Sequence, residues 1–155
     1  MALPPFQVLI DDHADAVHRF LVGTAGPGAA DDCFQETFIS ALRAYPRLRP
    51  DSNLQAWLFT IARNKAMDHH RAVRRGPLPV AEVPERAAQA AEPALRDGDL
   101  WAAVRALPEK QRAAVVLRFV SDLSHREIGR VLDCSDAAAR RSVHEGLKRL
   151  REVRT

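Results

Sequence analysis

Along most of this chain the apolar residues recur at steps of three and four, and no stretch alternates apolar and polar residues as a half-buried strand would. That period restricts the fold to packed helices. Val8, Leu9, Ala16, Val17, Phe20 and Leu21 mark a first helix that ends near Gly23. Gly26-Pro27-Gly28 reads as a turn. Phe34, Phe38, Ala41, Leu42 and Tyr45 mark a second helix over 30–45. Asp31, Asp32, Gln35 and Glu36 fall near its start, where acidic groups suit the helix dipole. Pro46 to Asn53 reads as a loop, and Ser52 or Asn53 can cap the next helix. That helix, the longest, spans 54–75, with Leu54, Trp57, Leu58, Ile61, Ala62, Met67 and Val73 as its apolar set.

Residues 76–96 break the pattern. Pro77, Pro79, Pro84 and Pro93 stand among Ala, Glu and Gln with little apolar period, which predicts a flexible linker with a short helix at 85–91. From Gly98 the helical period resumes through Leu100, Trp101, Val104 and Leu107. Pro108 opens a further helix carrying Val115, Val116, Phe119 and Val120. Ser124 and Glu127 have the spacing of a capping box before Ile128, Val131 and Leu132. Asp133-Cys134 is a tight turn, and Ser135 can cap a last helix running to about Arg151, with Ala139, Val143, Leu147 and Leu150 inward. The expectation is all-α: two small helical domains, 5–75 and 97–155, joined by a linker over 76–96.

Charge divides the chain in the same way. The formal net charge is +3, but residues 1–53 sum to −3, 54–75 to +4, 76–100 to −3 and 101–155 to +5. Of 23 basic residues 20 are Arg, whose fork suits phosphates and guanine edges. Two basic blocks point to two surfaces that meet an anion; drift of composition toward Arg and Ala gives the same totals. Other classes drop out. Cys33 and Cys134 cannot build a disulfide framework and read as packing residues. Six histidines show no ligand spacing, and adjacent His69 and His70 point to different helix faces, so no metal is expected. There is no Gly-rich phosphate loop, nucleophile elbow or triad, so neither enzymatic activity nor a cofactor is expected. No apolar run reaches the length of a membrane span and the start lacks a secretory signal, so a cytoplasmic protein without membrane insertion is expected.

Ser124–Arg151 has the form of a helix-turn-helix, its second helix carrying Arg140, Arg141, Lys148, Arg149 and Arg151. In such motifs the second helix enters the major groove, while a plain hairpin with a solvated basic face has the same spacing. The 54–75 helix adds basic groups near Tyr45 and Trp57, a mix that suits unstacked nucleic acid. Trp57 also lies in the apolar stripe, which suits a core role better.

Together these segments resemble the extracytoplasmic-function sigma factors, small promoter-recognition subunits of bacterial RNA polymerase. Asp31-Asp32-Cys33-Phe34-Gln35-Glu36-Thr37-Phe38 is similar to the acidic segment of that family. Ser52 to Asn64, then Asp68-His69-His70-Arg71, resembles its promoter-melting helix. Leu107-Pro108-Glu109-Lys110-Gln111-Arg112, Leu123 to Ile128 and Leu147 to Arg151 resemble its C-terminal helix-turn-helix domain. The likeness runs from about residue 8 to 153, and three motifs in order across a linker are specific together.

The resemblance implies a division of labour. A region 2-like domain would bind the clamp helices of the polymerase largest subunit through Asp31, Asp32, Gln35, Glu36 and Phe38. It would read and melt the −10 element with Pro50, Asp51, Ser52, Asn53 and Trp57, a flipped base sitting near Pro50–Asn53. Arg63, Asn64, Lys65, Arg71 and Arg74 would lie on the strand backbone. A region 4-like domain would meet the polymerase flap and read the −35 element through Arg126, Ser135, Ala138, Arg140, Arg141, His144 and Lys148. The linker would thread toward the RNA exit path. An anti-sigma partner is implied as well, and exposed apolar faces on both domains would suit it. Two departures stand out: Glu145 replaces a common basic residue, and Asp133 replaces a usual turn glycine, though Asp tolerates the left-handed region. Two rival readings use the same residues. A stand-alone helix-turn-helix regulator would bind duplex DNA without polymerase, and a sigma-like decoy would bind an anti-sigma factor and never reach DNA.

Overall fold

The computed structural model describes residues 3–75 and 95–154, and all the regular structure among them is helical. The elements are α1 (Phe6–Ala25), α2 (Pro27–Ala44), a 3-10 turn (Tyr45–Arg47), α3 (Leu54–Arg75), α4 (Leu95–Arg105), α5 (Glu109–Phe119), α6 (His125–Leu132) and α7 (Asp136–Arg154). Residues 76–94 of the expected linker, with the short helix expected at 85–91, lie outside the described residues, and the linker's last two positions, Leu95 and Arg96, are helical.

Several boundaries differ from the expectation. α1 passes through Gly23, because this glycine serves packing: a Cβ there would lie 3.1 Å from Val116 Cγ1 and 3.3 Å from the Trp101 ring. The stop is Gly26 alone, at φ 95°, where its N–H donates to the Val22 carbonyl. Pro27 then occupies the first turn of α2, where its missing N–H costs nothing. The break is therefore one residue long, and α2 starts three residues earlier than its apolar pattern. Asp31, Asp32, Gln35 and Glu36 consequently lie beyond its first turn, which holds no acidic residue. α4 likewise begins at Leu95, with Gly98 inside it.

α1, α2 and α3 form one bundle. α2 buries Ala30, Cys33, Thr37 and Ala41, small side chains that let the helices approach closely, and Thr37 satisfies its hydroxyl on the Cys33 carbonyl at 2.7 Å. α3 buries Leu58, Phe59, Ala62 and Ala66. Phe20 and Phe59 meet edge-on at the centre, ring centroids 5.5 Å apart. Each is almost wholly removed from water, worth about 1.5–3 kcal/mol by area. In the second bundle α5 buries five consecutive residues, Ala113 to Leu117. A run of five covers more than a full turn, so α5 is enclosed on several sides. α7 lies on one of them and α1 on another.

The helix-turn-helix forms as expected. Ser124 Oγ accepts from Glu127 N at 3.1 Å, and Ser124 N donates to Glu127 Oε1 at 2.8 Å, completing the capping box. Ser135 Oγ caps α7 by accepting from Ala138 N at 3.1 Å. Asp133 holds the left-handed conformation, φ 59° and ψ 52°, at the end of α6.

The two bundles share one apolar core. α1 packs on α4 and α5, and α3 packs on α6. The apolar faces expected to stand open on each half therefore cover one another in part. Among the described residues, the large apolar side chains that stay exposed are Val8, Ile39, Leu42, Val73, Phe119 and Val153.

Candidate nucleic-acid and protein interfaces

The first surface lies on α2. Asp31, Asp32, Gln35 and Glu36 are all exposed. His18 Nε2 lies 3.1 Å from Asp31 Oδ1. Phe38 is half-buried, edge-on to Phe6 and tilted against Phe34, so it braces the helix from beneath. Ile39 and Leu42, 48% and 56% exposed, continue the face by one turn. Sequence reasoning placed Leu42 among core residues and passed over Ile39. Only the neighbouring acidic positions, at steps of three and four, signal that both share the outer face. Acidic groups beside bare aliphatic side chains suit a protein partner with basic and apolar groups.

The second surface runs from the loop before α3 along that helix. Asn53 is the cap, its Oδ1 accepting from Ala56 N at 2.9 Å. Ser52 N donates to the Arg49 carbonyl in a turn that leaves Pro50 and Asp51 exposed. Trp57 is half-buried with Tyr45 tilted against it at 6.1 Å, while the Tyr45 hydroxyl donates to the Pro4 carbonyl. Core packing and partial exposure thus coexist at Trp57. Steps of seven put Trp57, Asn64 and Arg71 on one line, two turns apart. Asn64, Arg71 and Arg74 are exposed, and Arg71 reaches Asp68 at 3.3 Å. Lys65 sits on the flank facing α2, its carbonyl 3.9 Å from Cys33 Sγ.

Arg63 does not join that line. Its Nε and Nη2 donate to Glu109 Oε2 and Oε1 at 2.8 and 2.6 Å, a two-pronged pair between α3 and α5. The side chains are only 14% and 27% exposed. The Glu109 carboxylate holds the Arg63 guanidinium more firmly protonated, against the opposing effect of burial. Beside it, burial lowers the Arg112 pKa, and Arg112 Nε has no acceptor among the described residues. Burial also lowers that of Arg105, whose side chain lies against Gly26. His70 Nε2 lies 2.6 Å from the Thr24 carbonyl in the last turn of α1. A carbonyl can only accept, so the proton is on Nε2. Burial lowers the His70 pKa below that of a free imidazole, and this hydrogen bond only partly restores it. None of these long-range contacts was legible in the sequence, because each joins positions about forty or more apart.

The third surface is the outer face of α7. Arg140, Arg141, His144 and Lys148 are exposed, and Ala138 is half-buried. Arg141, His144 and Lys148 fall at steps of three and four along the side opposite buried Ala139, Val143 and Leu150. Glu145 is exposed beside them, one turn after Arg141. Arg126 on α6 is exposed, and Arg130, one turn on, adds a charge that sequence reasoning did not single out. Gly129 fixes how closely α6 approaches the turn: a Cβ there would lie 2.6 Å from the Cys134 carbonyl oxygen. A basic helix held forward of a tight turn by a short capped helix has the geometry to enter a major groove.

Among the described residues there is no cluster of three metal-ligating side chains, and no helix is long and apolar enough to cross a membrane.

Known proteins show the same division. Residues 9–76 match the Sigma-70 region 2 family and residues 97–150 match the Sigma-70, region 4 family. The RNA polymerase sigma factor CarQ of Myxococcus xanthus is 36% identical over 96% of this chain and 88% of its own length. The ECF RNA polymerase sigma factor SigE of Mycolicibacterium smegmatis is 33% identical over 97% of this chain, which spans 62% of that protein. Among solved structures, CnrH in complex with the cytosolic domain of CnrY superposes with a TM-score of 0.74 at 23% identity, over 96% of this chain and 86% of that one. The sigma factor RpoE in complex with the anti-sigma factor NepR from Bartonella quintana gives 0.69 at 24% identity, over 95% and 94%. At such identities these two likenesses speak for the fold.

Proposed function

Since the chain belongs to the sigma-70 family, in its extracytoplasmic-function branch, we propose that it directs core RNA polymerase to specific promoters and helps open them. The single observation that carries this reading is the coexistence of three separate surfaces on one small fold: an acidic and apolar face on α2, an aromatic and basic line on α3, and a basic face on α7. A duplex-binding repressor needs only the last. In this reading residues 5–75 bind the polymerase clamp through Asp31, Asp32, Gln35, Glu36 and Phe38, with Ile39 and Leu42 added to that set. The loop from Pro50 to Asn53 and Trp57 receive the −10 strand, and Asn64, Lys65, Arg71 and Arg74 hold its phosphates. Flipping a base from the stack costs a few kcal/mol, which the loop and those phosphate contacts offset. Residues 97–155 meet the polymerase flap and read the −35 element from α7, and 76–96 connect the two. Glu145 accepts from a cytosine amino group within that element. The polymerase performs the chemistry, and the chain itself is not an enzyme. It acts in the cytoplasm and pairs with an anti-sigma partner, as the structurally similar RpoE does with the anti-sigma factor NepR.

The test is reconstitution. Core polymerase with this chain should start transcripts on fragmented genomic DNA at discrete sites that share two upstream elements. Arg141→Ala with Lys148→Ala should lower those starts about tenfold or more while core binding persists. Starts no different from those of core polymerase alone would refute the proposal.

A further inference from the structure

The residue that departs from the α3 surface is the informative one. Arg63 belongs to the basic set of α3, yet its fork is filled by Glu109 from the other half of the chain. The same face of α3 is covered by α6, with Thr60 Oγ1 3.5 Å from the Val131 carbonyl. A carboxylate that accepts both prongs of an Arg occupies the geometry a phosphate would use. We propose that Glu109 is an intrachain latch: it stands in for a nucleic-acid phosphate on Arg63 and holds the two helical halves in a closed arrangement that must open before α3 can take a strand. This rests on reading α3 as a nucleic-acid surface.

The seam around the pair is built to be reversible. Its apolar part is continuous with the shared core and brings Trp101 and Val116 onto Gly23. Its polar part includes Arg112, half-buried with Nε lacking an acceptor, and Arg105 pressed on Gly26. Such groups lose hydration on closing and recover it on opening, which weakens the closed state. The bidentate pair opposes that trend. A strand phosphate competes with Glu109 for Arg63, so nucleic acid and closure exclude one another, and apparent affinity falls by the fraction of chains that are closed.

The test uses the full chain as wild type, Glu109→Gln, Arg63→Gln/Glu109→Gln and the charge swap Arg63→Glu/Glu109→Arg. Small-angle X-ray scattering reads the radius of gyration. Fluorescence anisotropy reads binding to a labelled 20-nucleotide single-stranded DNA of mixed sequence. Glu109→Gln should be larger than wild type and bind that DNA about tenfold tighter. The Arg63→Gln/Glu109→Gln chain should stay expanded but lose the gain. The charge swap should return to wild-type dimensions without the gain, which also shows that the seam still folds. A Glu109→Gln chain with wild-type dimensions overturns the latch. A gain in affinity that survives loss of Arg63 overturns it too, since it then reflects net charge. Expansion without any gain overturns it as well, since closure then does not compete with a strand for Arg63.

Discussion

Gly129 and Gly98 allow one substitution to be tried in two opposite settings. Both are helical glycines, so Ala should add about 1 kcal/mol of helix propensity at either. At Gly98, inside α4, a new Cβ meets nothing within 4 Å, and the whole gain should appear. At Gly129 the Cβ meets the Cys134 carbonyl oxygen at 2.6 Å, with Ser135 backbone atoms at 3.4 Å. The obstacle is backbone, so no rotamer change relieves it. The Gly129 carbonyl also accepts from the N–H groups of Asp133 and Cys134, the second at 2.9 Å. Opening the turn by the several tenths of an ångström required strains both bonds, each worth about 1 kcal/mol, and lifts Ile128 and Val131 from the core. Overpacking of this kind costs about 1–3 kcal/mol, more than propensity returns. Gly129→Ala should therefore lower the unfolding free energy in urea by about 1–2 kcal/mol, a fall in Tm of roughly 3–8 °C. Gly98→Ala should raise it by up to about 1 kcal/mol. A Gly129→Ala chain as stable as wild type would refute the close-approach argument.

Ser124→Ala removes one arm of the capping box and should cost about 1 kcal/mol in the same urea titration, Ser124→Gly only a few tenths. Asp133→Gly relieves a left-handed residue and should stabilise by up to about 1 kcal/mol, while Asp133→Ala should destabilise. The pKa of His70 is depressed in the folded chain, so the unfolded chain binds more protons below the free imidazole value of about 6.5. Stability should be full above that pH and fall as pH drops through it, and His70→Gln should flatten that segment of a denaturation–pH profile. The thiol of Cys33 is buried, and its pKa is raised by burial, Glu36, Asp32 and Asp68. It should react with a thiol reagent such as dithionitrobenzoate only on unfolding, whereas half-buried Cys134 reacts in the native chain.

The helices were legible wherever a local signal defined them. The capping box at Ser124, the cap at Ser135, the proline before α5 and the three-four spacing all act within a few residues, which is the range sequence reasoning reaches. The errors came from glycines and prolines with tertiary reasons. Gly23 read as a helix stop because its packing partners, Trp101 and Val116, are far along the chain. Gly26-Pro27-Gly28 read as a three-residue turn, although one glycine suffices when the next proline already has helical φ. Among the candidate surface residues, the α2 and α7 sets were readable as outer faces because each lies opposite a buried stripe on its own helix. The pairing of Arg63 with Glu109 was not, since nothing near Arg63 in sequence names its partner.

The most direct test of the central claim is co-elution of the purified full chain with bacterial core RNA polymerase on size exclusion, at moderate salt and without DNA. The account predicts a stable one-to-one complex, weakened by Asp32→Ala with Glu36→Ala and left intact by Arg141→Ala. Absence of a complex for both the wild-type and Glu109→Gln chains would contradict it, because neither the open nor the closed form would then recognise the polymerase.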